Sequence, residues 1–160
     1  MELKLIFSII VTLLLVISDQ WSKYLAVLYL TDRRTVTVIP GFLGLRYVEN
    51  TGAAFSMLSN STTFLIVVTA IALVVMAYMI WIKKYGEPFE RLCFTLIIAG
   101  GVGNLIDRVT RGFVVDFFEF LFMNFAVFNV ADIYVCVGIG LYAVYTFYTE
   151  YIKMKRKNNE

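Results

Sequence analysis

The chain contains no histidine, and only 16% of its 160 residues are charged. The missing imidazole removes Ser-His-Asp triads and His-ligated zinc sites from the chemistries open to it. Hydrolysis would have to run on carboxylates, on a Ser/Lys pair or on cysteine. The shortage of charge accompanies 60% hydrophobic and 16% aromatic residues and a mean hydropathy of +0.78. Ordinary domains are about 45–50% apolar and about 25% charged, so this excess calls for an apolar solvent, and the chain reads as a membrane protein. A net charge of +2 leaves little to attract nucleic acid. The length allows one domain, 1–160, with no separate soluble domain.

Uncharged apolar runs of about 17–25 residues are long enough to span a bilayer. Four are found, placing helices at about 5–28, 62–82, 92–109 and 129–149, with outer loops at about 31–60 and 110–128. The fold class expected is therefore all-α, with four transmembrane helices. Asn129 is a suitable N-cap for the fourth helix. After Lys4 and the first apolar run, Ser18-Asp19-Gln20-Trp21 does not make a small-residue cleavage site, and the helical period continues past it. An uncleaved span is expected. Cys93 and Cys136 fall toward opposite ends of the third and fourth spans, too far apart to bridge, and read as apolar filler.

With four spans, both termini and the loop from Lys83 to Arg91 share one side and carry eight Lys/Arg residues, against five in the other two loops. That bias makes both termini cytoplasmic. The unusual polar residues then fall at the outer ends of the helices. Asp19 and Lys23 come late in the first, Asn50 precedes the second, Asn104, Asp107 and Arg108 end the third, and Asn129 and Asp132 open the fourth. Asp116 lies in the loop between the last two, within the strand-like aromatic run from Gly112 to Phe118. Counted from Leu5 at 1.5 Å per residue, Asp19 is roughly 21 Å along a core of about 30 Å, which puts the cluster in the outer third of the membrane.

An ionised group at a helix centre costs about 2.5–3.5 kcal/mol on insertion scales, so these charges must be paired or used. Asp19 with Lys23 and Asp107 with Arg111 stand one turn apart, acid first, and Asn104 precedes Arg108 by the same spacing. Asp116 and Asp132 have no unclaimed basic residue a turn away. Two unpaired acids in a low-dielectric pocket would share a proton, which makes them candidates for a catalytic pair.

Other features have structural readings. Gly100, Gly101 and Gly103 sit in a helical, hydrophobic context and suit a close-packing face rather than a phosphate loop. Ser22 is adjacent to Lys23 and so faces away from it on a helix, which makes it a poor Ser/Lys pair; Ser18 with Lys23 is the other such pairing. Val36–Ile39 and Phe42–Val48 flank Pro40-Gly41 and suggest a small hairpin above the helices. The six phenylalanines from Phe117 to Phe128 mark an interfacial loop able to cover the site or grip an acyl chain. The basic tail Lys153 to Lys157 suits anionic lipid.

Taken together, Asp19-Gln20-Trp21-Ser22-Lys23, Asn50-Thr51-Gly52-Ala53-Ala54-Phe55-Ser56, Gly103-Asn104-Leu105-Ile106-Asp107-Arg108 with Val115-Asp116-Phe117, and Phe128-Asn129-Val130-Ala131-Asp132 resemble the four motifs of the lipoprotein signal peptidase family, bacterial signal peptidase II, across nearly the whole chain. The resemblance implies a membrane aspartic peptidase in the bacterial cytoplasmic membrane with Asp116 and Asp132 as its catalytic dyad. It implies a diacylglyceryl-modified prolipoprotein as substrate, cut on the amino side of the lipidated cysteine. It further implies that Asn50, Gly52, Asn104, Arg108 and Asn129 line the substrate pocket, that Asp19, Lys23 and Asp107 support it, and that globomycin inhibits. The expected enzyme is a monomer in contact with membrane lipid, without metal or other cofactor. Intramembrane acids also mark ion pathways, so a proton or ion transporter is the leading alternative, and a non-enzymatic lipid-binding or assembly factor is the third.

Overall fold

Nothing between Leu5 and Ser18 interrupts an apolar helix, and the computed structural model, which describes residues 2–32, 35–52, 61–82 and 86–158, has α1 running unbroken over Glu2–Leu30. Helix α2 covers Thr62–Ala77 and ends in a wider turn at Tyr78–Ile82. Helix α3 is Pro88–Arg111 and α4 is Val130–Lys157. All four are long and apolar enough to cross a membrane, and the chain is a multi-pass membrane protein. Side chains such as Leu13, Leu14 and Ile17 on α1, Val74 on α2 and Val144 and Phe147 on α4 stand exposed on the outside of the bundle. Surface of that kind is stable against lipid rather than water.

The helix ends depart from the expected spans where polar chemistry rather than hydropathy sets them. Helix α3 begins at Pro88, four residues before the apolar run, because Glu87 and Glu90 form a reciprocal capping box around a first-turn proline. It stops at Gly112, whose φ of 84° lets its N–H close on Arg108 O at 3.2 Å. Helix α4 continues to Lys157, past the expected end near 149, with Glu150 and Lys153 paired at 2.7 Å on its surface. Hydropathy there marks the end of the apolar face, not of the helix. Ala53–Ser56 of the second motif, and Arg33, Arg34, Lys83 and Lys84 of the charge count, lie outside the described residues.

Strands β1 (Val36–Ile39) and β2 (Leu43–Asn50) form the expected hairpin, with Phe42 in the turn and Gly41 at φ 70° after Pro40. A third strand, β3 (Val114–Phe120), pairs antiparallel with β2, so the strand-like part of the expected outer loop is sheet, in the order β1-β2-β3. The remaining aromatic residues fold back along β3, where Phe128 pairs with Phe118. Phe42, Phe120, Phe122, Phe125 and Phe128 then cluster with ring centroids 5.2 to 6.1 Å apart, Phe42 stacked on Phe122 and the other rings tilted or edge-on.

Packing of the sheet on the helices aims the functional strand. Val115 and Phe117 of β3 are buried against Ala26 and Leu30 at the end of α1. Side chains alternate along a strand, so Asp116 between them points the other way, toward α3 and α4. The glycine face is also as expected. A methyl group at Gly100 would run into the carbonyl oxygen of Ala131, one at Gly101 into Leu73, and one at Gly103 into the Asp19 carboxylate. Cys93 is buried, Cys136 is exposed, and both are free thiols.

Gly100→Ala is therefore expected to destabilise the bundle by about 1–3 kcal/mol, since the obstacle is backbone that cannot swing aside. Gly140 has open space around it, so Gly140→Ala should change stability by no more than about 0.5 kcal/mol. Unfolding midpoints of the two variants in one detergent measure the difference, and equal midpoints would mean that α3 and α4 are not held by this contact.

Candidate active site

Five elements converge at one end of the bundle. The late turns of α1 bring Asp19, Gln20 and Lys23, the end of α3 brings Asn104, Asp107 and Arg108, and the first turn of α4 brings Asn129 and Asp132. The end of β2 supplies Asn50 and β3 supplies Asp116. All the site residues anticipated from the sequence meet here.

At the base lies a lysine with no exposed surface. Lys23 Nζ is 3.0 Å from Asp19 Oδ2 and 3.1 Å from Asp107 Oδ2, both also fully buried, and it donates to Asn104 Oδ1 at 2.9 Å. Its three protons thus have three acceptors. Asp19 Oδ1 also accepts the backbone N–H of Ala131 at 2.9 Å, and Asp107 Oδ2 accepts that of Val115 at 3.1 Å. Arg111 Nε stands 3.6 Å from Asp107 on the more exposed side. The charged group fastens α1, α3, α4 and β3 to one another.

Above it are two carboxylates of a different kind. Among the described residues neither Asp116 nor Asp132 forms an ion pair. Asp116 is 2% exposed and accepts from Asn50 Nδ2 at 2.9 Å and from Asn129 Nδ2 at 2.6 Å. Asp132 is half-buried; it accepts from Asn104 Nδ2 at 2.8 Å and from the backbone N–H of Asn129 at 3.1 Å. Asn129 is the expected N-cap of α4, its Oδ1 accepting from Asp132 N at 2.9 Å. The same side chain therefore caps the helix and touches Asp116. Asp132 is the third helical residue, the partner in a capping box, and its place is set by helix initiation itself.

Burial pushes the Asp116 carboxyl up from 3.8 to about 6; the Asn50 hydrogen bond pulls the other way, and the negative charge of Asp132 adds to the rise. Arg108 Nη2 donates to Gly52 O at 2.9 Å and Nη1 to Asn104 O at 3.4 Å, while Gly52 N donates to Asn50 Oδ1 at 2.9 Å. Arg108 thereby ties the exit of β2 to α3. Its Nε is buried without a partner among the described residues.

Ser22 and Ser18 hydroxyls bond to backbone carbonyls of their own helix, and Ser18 also meets Tyr134, while Lys23 is fully engaged elsewhere. Neither serine is paired with Lys23. Sequence reasoning gave Gln20 no role, yet its Nε2 bridges Asp19 Oδ2 and Gly103 O, each at 3.1 Å. A second polar residue beside Asp19 inside an apolar helix was the available signal. A cleft of about 660 Å³ opens at the far end of the bundle between the starts of α1 and α3, and none of the carboxylates lines it. Among the described residues no group of His, Cys, Asp and Glu side chains is disposed as a metal site. Two carboxyls held by neutral amides, one sealed and one half open, are suited to share a proton and to activate water between them.

Residues 11–148 match the model of the signal peptidase (SPase) II family. The chain is 41% identical over 155 residues to the lipoprotein signal peptidase of Enterococcus faecalis, covering 96% of each. It is 45% identical over 131 residues to that of Caldanaerobacter subterraneus, covering 82% of this chain and 89% of the relative. A solved bacterial membrane enzyme superposes with a TM-score of 0.79 at 33% identity, over 88% of this chain and 87% of the other. A second has a TM-score of 0.78 at the same identity, over 88% and 92%. These matches give the transporter reading no support.

The Asp116 carboxyl should titrate near pH 6. Replacing Asp132 by Asn removes a like charge and should lower that midpoint, whereas Asn50→Ala removes a hydrogen bond to the ionised form and should raise it. Infrared or carbon NMR titration of aspartate-labelled protein in detergent reads both shifts, and a midpoint indifferent to both changes would contradict this account of the site.

Proposed function

The chain belongs to the signal peptidase II family, and from that premise we propose that it removes the signal peptide of diacylglyceryl-modified prolipoproteins by an aspartate dyad, Asp116 and Asp132. The observation that carries the assignment is the contrast among the four aspartates that meet at this end of the bundle. Asp19 and Asp107 are ion-paired with Lys23, Asp107 with Arg111 as well, while among the described residues Asp116 and Asp132 meet amide donors and share Asn129. An acid fixed in an ion pair has no proton to exchange. An acid held by amides can take one up and give it back.

In the reaction, one carboxylate accepts a proton from water as the oxygen attacks the scissile carbonyl, and the protonated partner donates to the carbonyl oxygen. The tetrahedral species collapses as the C–N bond breaks and a proton passes to the leaving amine of the lipidated cysteine. Asn50, Gly52, Asn104, Arg108 and Asn129 border the dyad and would contact the peptide, with Asp19, Lys23 and Asp107 holding the frame. The exposed Leu121, Phe122, Met123 and Phe125 beside the sheet offer apolar surface to lipid and to the diacylglyceryl chains. Both termini lie on the cytoplasmic side, where the Lys/Arg excess falls, and the dyad faces the outer leaflet. The enzyme acts as a monomer and is sensitive to globomycin.

Purified protein in detergent should convert a diacylglyceryl-modified prolipoprotein to its shorter product, seen as a size shift on a gel. Asp116→Asn and Asp132→Asn should each lower the rate by about 10²- to 10⁴-fold while unfolding at temperatures near the unaltered protein's. Near-full activity in either variant, or cleavage only on addition of a metal, would sink the dyad.

A further inference from the structure

An asparagine amide has two orientations of similar shape, and its neighbours decide between them. Asn104 is held on two sides. Lys23 Nζ lies 2.9 Å from one end of the amide, and an ammonium has protons to give and no lone pair to accept with. Asn129 Nδ2 reaches the same atom at 3.1 Å, and it too must donate, because Asn129 Oδ1 is committed to the N–H of Asp132. The oxygen of Asn104 therefore faces Lys23, and its Nδ2 faces Asp132 Oδ1 at 2.8 Å. Flipped, the amide would set donor against donor at Lys23 and oxygen against carboxylate at Asp132.

We propose that Lys23 is a positioning residue acting through Asn104: its ammonium locks the amide with Nδ2 toward Asp132, so that Asp132 stays the acceptor and proton-free member of the dyad while the shared proton resides on Asp116. This rests on the dyad reading given above. With Nδ2 of Asn104 on Oδ1 and the Asn129 N–H on Oδ2, both Asp132 oxygens receive a hydrogen. Asp116 also receives two amide hydrogens, but neither donor is backed by a cation; Asn50 also accepts from Gly52 N, and Asn129 from Asp132 N. Asp132, the half-exposed acid, is then the base toward entering water, and Asp116, sealed on β3, is the acid. The charged groups around Lys23 and Asn104 are Asp19 on the same helix, Asp107, Arg108 and Arg111 on α3, Asp116 on β3 and Asp132 on α4.

Lys23→Gln tests the lock, because a neutral amide can present either end to Asn104. The variant should lose about 10- to 100-fold in kcat with KM within about threefold, as for a lost supporting contact. The acid limb of its kcat profile should move to higher pH, since a positive charge behind Asp132 is gone. Lys23→Arg, a donor that cannot accept, should restore most of kcat and the original limb. In an Asn104→Ala background, Lys23→Gln should add less than about threefold, the signature of one residue working through another. Should Lys23→Gln alone fail to fold, Lys23→Gln with Asp107→Asn removes one buried charge of each sign and carries the same measurements. A purely structural lysine would lower the unfolding midpoint and leave the kcat and pH limb of the folded enzyme unchanged, and that result overturns the proposal. So does undiminished loss from Lys23→Gln in the Asn104→Ala background. Inactive unaltered protein, or active Asp116→Asn or Asp132→Asn, would instead indict the dyad itself.

Discussion

A lysine ammonium with no exposed surface must find a hydrogen-bond acceptor for each of its three protons inside the protein, and much of the functional end of this molecule can be traced to how Lys23 does so. Two acceptors are carboxylates, from its own helix and from α3, and the third is the oxygen of Asn104. Burying such ions costs several kcal/mol each, so the cluster is weak evidence for stability. It is better evidence for specificity of arrangement. Asp19 and Asp107 each spend a further oxygen lone pair on a backbone N–H, of Ala131 on α4 and Val115 on β3. A slip of any of these elements would strand a buried charge, so the register of helices and sheet is set together with the ion cluster.

The same economy of groups governs the layer above. Asn129 begins α4, and an N-cap side chain must accept from the first turn. Its acceptor atom so used, the amide nitrogen is left to donate to Asp116 and Asn104. Asp132, as the third helical residue, returns a bond to the Asn129 N–H. Starting the helix and positioning the two carboxylates are thus one event. Gly103 completes the fit, since any side chain there would displace the carboxylate of Asp19.

Much of this was legible in the sequence wherever the interaction is local. Apolar runs disclosed the four helices, the spacing of Asp19 and Lys23 disclosed their pairing, and Asn129 announced its cap. The ends of α3 and α4 were less legible, although Glu87-Pro88-Phe89-Glu90 carries a proline and an acid where a first turn wants them. The run around Asp116 looks strand-like, but Val114, Val115, Asp116 and Phe117 are all buried, so no alternation of polar and apolar residues tells which face meets the helices or that it pairs with β2. Contacts such as Asn50 with Asp116, 66 positions apart, have no local signal at all. They follow only from the pairing of β2 with β3, which brings Val48 opposite Asp116 and Asn50 to the same face.

The absence of histidine acquires a physical sense from this arrangement. An imidazole changes charge near neutral pH with little help from its surroundings, whereas a carboxyl at 3.8 must be pushed there. Burial on β3 does this for Asp116, carrying it to about 6. An acid in direct contact with Lys23 is committed to an ion pair, so the acids nearest the lysine are the wrong ones for proton exchange, and those one amide farther away are the right ones. Asn104 and Asn129 are that intervening layer. They satisfy the carboxyl oxygens with hydrogen bonds yet place no full charge against them, and the membrane fold keeps its lysine close enough to order the amides and too far to neutralise the pair.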